Sequence, residues 1–168
     1  MPARNHCNRF VKHYSKRAVE KIKEIYVLRS SLVDFMQQAH LALREQKANL
    51  IYGTVRLIEK DEESFLAWAR QDYACIVFNL SHATQRAGHP KAAKTFRALI
   101  DLGIRYGGGY YLTYHRWATA RQVDLCYPRF RQFLAQKLLF NTRQNSFKAI
   151  GTYTFRLFWL NRPETAKD

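Results

Sequence analysis

Apolar positions in this chain follow two different periods, and the switch from one to the other marks out its elements. Glu24–Leu28 is a short run of β-formers and predicts a strand. Leu32, Phe35, Met36, Ala39, Ala42 and Leu43 then recur at three- and four-residue intervals, which gathers them on one face of a helix reaching to about Gln46. Ser31-x-x-Asp34 has the form of a capping box at its start, and Met36 reads as core filler. Leu50–Glu59 and Tyr73–Leu80 predict two further strands, joined by a loop that is acidic first and aromatic afterwards, with room for one helical turn. Gly53, inside the first of these strands, marks a bulge or a close approach by another group.

The second half repeats the alternation. Gly88-His89-Pro90 makes a turn with proline at the first helical position, and Ala93, Phe96, Leu99, Ile100 and Ile104 form the buried stripe of a helix from about Pro90 to Tyr106. Gly107-Gly108-Gly109 ends it, and Tyr110–His115 reads as a strand. Thr119-x-x-Gln122 caps a further helix, which Pro128 interrupts or restarts and which Phe130, Phe133, Leu134 and Leu138 continue. The order is strand, helix, strand, strand, helix, strand, helix, or two successive β-α-β units. The expected fold is α+β: a ferredoxin-like two-layer sandwich with a mainly antiparallel sheet and helices on one face.

Composition supports one globular domain. The chain has 168 residues, 47% hydrophobic and 14% aromatic, enough for a core of its own. No apolar stretch approaches the roughly 20 residues of a membrane helix, and the basic, polar start does not have the form of a secretory signal. The three cysteines, Cys7, Cys75 and Cys126, form no CxxC and no His/Cys cluster, so no metal site is expected. An odd count with Cys75 in an apolar run fits buried thiols in a reducing cytoplasm.

Charge changes the picture more. The formal net charge is +15, from 28 Lys and Arg against 13 acidic residues, and such a field attracts polyanions. The basic residues are densest in residues 1–23, read as an N-terminal arm in which Arg4, Arg9, Lys12, Lys16, Arg17, Lys21 and Lys23 are opposed only by Glu20. No zinc finger, RNP motif or GXXG loop gives the charge a reading geometry, which argues against nucleic acid and for a solvated basic surface.

No GxSxG elbow, P-loop, HExxH or GxGxxG is present. The three consecutive glycines follow a helix and precede a strand, the reverse of a dinucleotide loop. Two strands carry unusual polar groups. Period two places Tyr52, Thr54 and Arg56 on one face of the first. The other, Tyr110–Trp117, brings phenols, an imidazole and a guanidinium together, with Tyr110, Leu112 and Tyr114 on one face and Tyr111, Thr113 and His115 on the other. An arginine can clamp an anionic or hydroxylated substrate, and Tyr or His can relay a proton. On composition alone, the bland reading is an aromatic sheet edge with its hydroxyls bonded.

Three segments change that weighting: Asn49–Ile58 (NLIYGTVRLI), Asp61–Ala74 (DEESFLAWARQDYA) and Gly108–Ala118 (GGYYLTYHRWA). Together they resemble the FAD-linked oxidases of the vanillyl-alcohol oxidase superfamily, in particular bacterial FAD-binding oxidoreductases and, more distantly, sugar-lactone and alditol oxidases. The resemblance covers roughly residues 19 to 140. It implies that residues 24–147 form the C-terminal substrate domain of such an oxidase and that 148–168 are a divergent tail. It also implies FAD as cofactor and a small molecule with an alcohol or sugar-like hydroxyl as substrate. Carried over residue by residue, it makes Tyr114 and His115 catalytic candidates. Arg56, Tyr52 and Arg116 become substrate-binding candidates, and His115, Trp117 and Asn141 cofactor-binding candidates. No lysine occupies the strand from Tyr110, where some relatives carry one.

The family's N-terminal flavin-binding domain has no counterpart in residues 1–23. The resemblance therefore implies a fragment or subunit, inactive alone, that needs a separate flavin-binding domain or a homodimer to cover its exposed face. Two other readings stand beside it: a basic binding module for nucleic acid or anionic surfaces, and an inactive truncated remnant.

Overall fold

The computed structural model describes residues 18–83, 88–113 and 117–140. Its elements are β1 (Ala18–Leu28), α1 (Leu32–Glu45), β2 (Asn49–Ile58), β3 (Tyr73–Ala83), α2 (Gly88–Arg105), β4 (Gly109–Tyr110), α3 (Ala120–Cys126) and α4 (Phe130–Phe140). The sheet order is β2-β3-β1-β4, and every neighbouring pair is antiparallel. Each β-α-β unit is therefore split by a strand of the other, β3 lying between β1 and β2, and β1 between β3 and β4. That interleaving is the ferredoxin-like arrangement the element order predicts.

The two central strands are buried on one face by the helices, and on the other only where the loop between β2 and β3 covers them. Ile25 and Val27 of β1, with Ala74, Ile76, Phe78 and Leu80 of β3, meet Phe35, Ala39 and Leu43 of α1 and Phe96, Leu99 and Ile100 of α2. On the other face Tyr26, Tyr73, Cys75 and Val77 make a smaller cluster with Ala69. The loop between β2 and β3 covers this cluster: Trp68 meets Tyr26 edge-on at 5.7 Å, and Tyr73 stacks on Tyr26 at 6.1 Å. The loop contains no helical turn. Asp61 organises it instead, its carboxylate accepting the backbone N–H of Glu63, Ser64 and Trp68. Those bonds favour the ionised carboxyl and hold it below the usual carboxylate range, Ser64 contributing most.

Several boundaries depart from the sequence pattern. β1 begins at Ala18, so residues 18–23 belong to the sheet and not to an arm. The Ser31 capping box does not form. Ser31 closes a 3-10 turn, Arg29–Ser31, with φ −97° and ψ 4°, and makes no side-chain cap bond. A capping serine needs an extended backbone to turn its hydroxyl onto the third amide of the helix. Met36 is 39% exposed, because the buried stripe of α1 is the strict four-residue row Phe35, Ala39, Leu43. In contrast, Thr119 and Gln122 form both bonds of their capping box, at 3.2 and 3.0 Å.

β4 is the largest departure. It spans only Gly109–Tyr110, Tyr111 still donates its N–H to the Glu24 carbonyl, and Leu112 and Thr113 turn away. The Tyr127 hydroxyl donates to the Tyr110 carbonyl at 2.5 Å and lies against the Leu112 amide, closing the outer side of the strand. The alternation expected along Tyr110–His115 stops at Tyr111. At the start of β4, Gly107 takes φ 73° and ends α2, while Gly108 lies so close to β1 that a Cβ there would sit 1.8 Å from the Tyr26 carbonyl oxygen.

Candidate functional site

α1 and α2 both lie on one face of the sheet, leaving the other face to the loop between β2 and β3 and, beyond it, exposed. Register defines what this open face carries. Tyr52 pairs with Asn79, Thr54 with Val77 and Arg56 with Cys75, while β1 brings Ile22, Glu24 and Tyr26 opposite the same three residues of β3. Directly paired residues point to the same face, so Tyr52, Thr54 and Arg56 form one row. All three are exposed, Tyr52 at 52%. β2 can present them because it is an edge strand. Its one irregularity, between Leu50 and Tyr52, lies before the row and leaves its period intact. A Cβ on Gly53 would meet the Val77 carbonyl at 3.3 Å, so the glycine marks a close approach and the bulge sits one step earlier.

Behind the exposed row, the paired positions Cys75, Val77 and Asn79 are all buried. The Cys75 thiol is free, and burial pushes its pKa up to about 12, with Glu24 adding to the rise and Arg56 opposing it. A thiol held so far from ionisation is not a nucleophile near neutral pH. The Tyr26 hydroxyl donates to Glu24 at 3.4 Å, and burial raises its pKa well above the usual phenol range. Asn79 is 98% buried; its amide donates to Glu20 at 2.8 Å and its carbonyl oxygen has no hydrogen-bond partner among the described residues. A lone Asn in the apolar run ACIVFNL was the available signal for this residue, and sequence reading missed it. Arg29 fixes the end of β2 by donating to the Ile58 carbonyl at 2.9 Å and to Glu59 at 2.7 Å.

The other candidates lie elsewhere. Trp117 packs on the helix side, edge-on to Phe96 at 6.2 Å, so the sheet separates it from Arg56. Tyr114, His115, Arg116 and Asn141 lie outside the described residues. Beside Trp117 is a residue that composition assigns to the basic arm. Lys23 is fully buried, with its ammonium nitrogen 4.8 Å from the Phe96 ring centroid, 4.9 Å from that of Trp117, and donating to the Ala92 carbonyl at 3.2 Å. Desolvation first, and Lys21 second, lower its pKa to about 7. Its place follows from period two, since positions 23, 25 and 27 all face the helices.

The open face can therefore offer a cation, a phenol and a hydroxyl in one row to a molecule lying across β2. A cradle for a cofactor's phosphates is a different matter. Such a cradle needs an open glycine turn leading from a strand into a helix. Gly108 and Gly109 instead lead from α2 into β4, and their backs are closed by Tyr26 and Cys126. No family model matches the chain, and no curated protein matches it.

Proposed function

We propose that this chain is the substrate-domain portion of an FAD-dependent oxidoreductase acting on an alcohol or sugar-like hydroxyl, completed by a flavin-binding domain. The observation that carries this reading is the exposed row Tyr52, Thr54 and Arg56 on the sheet face that the helices leave bare. The resemblance of residues 49–58, 61–74 and 108–118 to FAD-linked oxidases supports it. Arg56 holds a substrate hydroxyl or carboxylate by charge-assisted hydrogen bonds, with Tyr52 and Thr54 orienting the rest of the molecule. The flavin, held by the partner domain, supplies the hydride acceptor. The residues here fit the substrate end of that cofactor and not its phosphates. Tyr114 and His115 belong to the same proposal as the groups that polarise the reacting hydroxyl, Arg116 as a substrate contact, and His115 and Asn141 as cofactor contacts; Trp117, on the helix side of the sheet, is not part of that site.

The test is reconstitution. The full chain, mixed with FAD alone, is expected to elute without flavin. Mixed with a flavin-binding domain of this family lacking its own substrate domain, it should co-elute with it and oxidise a polyol. Arg56→Ala should then lower the rate 10- to 100-fold, roughly the 1.5–3 kcal/mol of a hydrogen bond to a charged group. A chain that neither joins such a domain nor changes its activity contradicts the reading. The net charge of +15 favours a second reading, a polyanion-binding module. Retention on heparin that survives physiological salt, with no effect of a flavin domain, would support it.

A further inference from the structure

Among the described residues β2 forms one outer edge of the sheet, and all of it is exposed save the half-buried Ile58. Its helix-side positions, Leu50, Val55 and Leu57, remain 43–66% exposed although they point toward the layer occupied by α1. The neighbouring flank of α1 is apolar and open as well. An open groove of about 690 Å³ lies between the two, lined by Leu32, Val33, Met36, His40, Leu41 and Val55 among others, with no Lys, Arg, Asp or Glu in its lining. In a chain with 28 basic and 13 acidic residues, such an uncharged stretch is a gap in the surface field.

We propose that two copies of this chain pair through β2, antiparallel about a two-fold axis, joining their sheets into one of eight strands and laying the two α1 flanks together. The inference is independent of the flavin reading. An antiparallel edge is self-complementary under a two-fold axis, because each strand presents the same amides and carbonyls to the other. Exposed edges are usually guarded by proline, lysine, inward-pointing charge or extreme shortness. Tyr52–Ile58 has no proline or lysine, and its one charge, Arg56, points to the open face. The register shift at Ile51 leaves these seven residues as the regular stretch. The opposite edge is closed to such pairing, since β4 has two residues and Tyr127 occupies its outer side.

Charge selects the second copy as the occupant. A polyanion would be drawn to basic surface and not to this gap, whereas two copies of a +15 chain can approach closely only where the charge is sparse. The seven regular residues run about 24 Å, and a flank two layers deep is about 20 Å across. The area is then on the order of 500 Å² per copy, the scale of a weak, concentration-dependent interface.

Sedimentation of the nuclease-treated full chain from about 1 to 200 µM tests this. A dimer is expected, tightening severalfold as salt rises from about 0.05 to 0.5 M, because screening removes the repulsion between copies. Val55→Lys with Leu57→Lys should weaken association at least tenfold. Val33→Glu with Leu41→Glu, which leaves the strand untouched, should weaken it similarly and decides the matter if the first variant does not fold. Leu139→Lys, at a 74% exposed position on α4, should change nothing. A monomer at every concentration, association that weakens with salt, or loss of the dimer on Leu139→Lys but not on the β2 or α1 changes would overturn the proposal.

Discussion

The two sides of this sheet are built to opposite rules. At the β4 side everything is closed: Tyr110 lies edge-on to Phe96 at 5.7 Å and to Tyr127 at 5.8 Å, Tyr127 caps the strand, and a lysine is enclosed between rings. At the β2 side a ten-residue strand is left bare on both faces with its hydrogen-bonding edge open. The difference shows where the fold is finished by its own residues and where it is shaped to meet something else. Packing density governs the first side, and surface chemistry the second.

The sharpest way to break the comparison is Gly108→Ala. The new methyl would sit 1.8 Å from the Tyr26 carbonyl oxygen, backbone against backbone, so α2 and β1 must separate. A loss of about 3 kcal/mol or more is expected in urea denaturation. A loss under about 1 kcal/mol would mean the closed side is looser than its packing implies.

Lys23 gives the next largest effect, through pH. Its folded pKa is lowered to about 7, below the unfolded value of 10.5, so the folded chain binds this proton less well. Stability from this group is present above the unfolded pKa and is lost as pH falls toward the folded one. Between pH 7 and 8.5 the wild type should gain about 1.5 kcal/mol, and Lys23→Met should abolish that rise. Above pH 9 the slope should reverse, because burial raises Cys75 and Cys126 to about 12 and the unfolded thiols ionise first. A Lys23→Met variant that keeps the wild-type rise would show that the amine is not the group responsible. At the open side the effects should be small. Leu57→Ser, at a 66% exposed position, should cost less than about 0.5 kcal/mol in the dilute monomer.

How much of this was legible depended on the distance between cause and effect. The row Tyr52, Thr54, Arg56 needs only period two within one strand, and the Thr119–Gln122 box only two residues three apart, so both could be read directly. The ferredoxin-like order follows from the sequence of elements. The closing of β4's outer side could not be read, because the hydroxyl that covers it belongs to Tyr127, far along the chain. Lys23 was obscured by its neighbours: a dense run of basic residues suggests an arm, although its place in the alternation with Ile25 and Val27 points inward. Ser31 had the right letters for a cap, and the 3-10 turn ahead of it set the wrong backbone angles.

Hydrogen exchange of the dilute chain tests the contrast between the two sides most directly. Alternate amides of an edge strand point away from the sheet, while those of central strands are bonded on both sides. Amides of β3, those of Ile25–Leu28 in β1, and that of Tyr111 bonded to Glu24, are expected to exchange only on global unfolding. The outward amides of Tyr52–Ile58 are expected to exchange orders of magnitude faster, and to slow when the concentration is raised. Protection along all of β2 equal to that of β3 in the dilute chain would contradict an open edge.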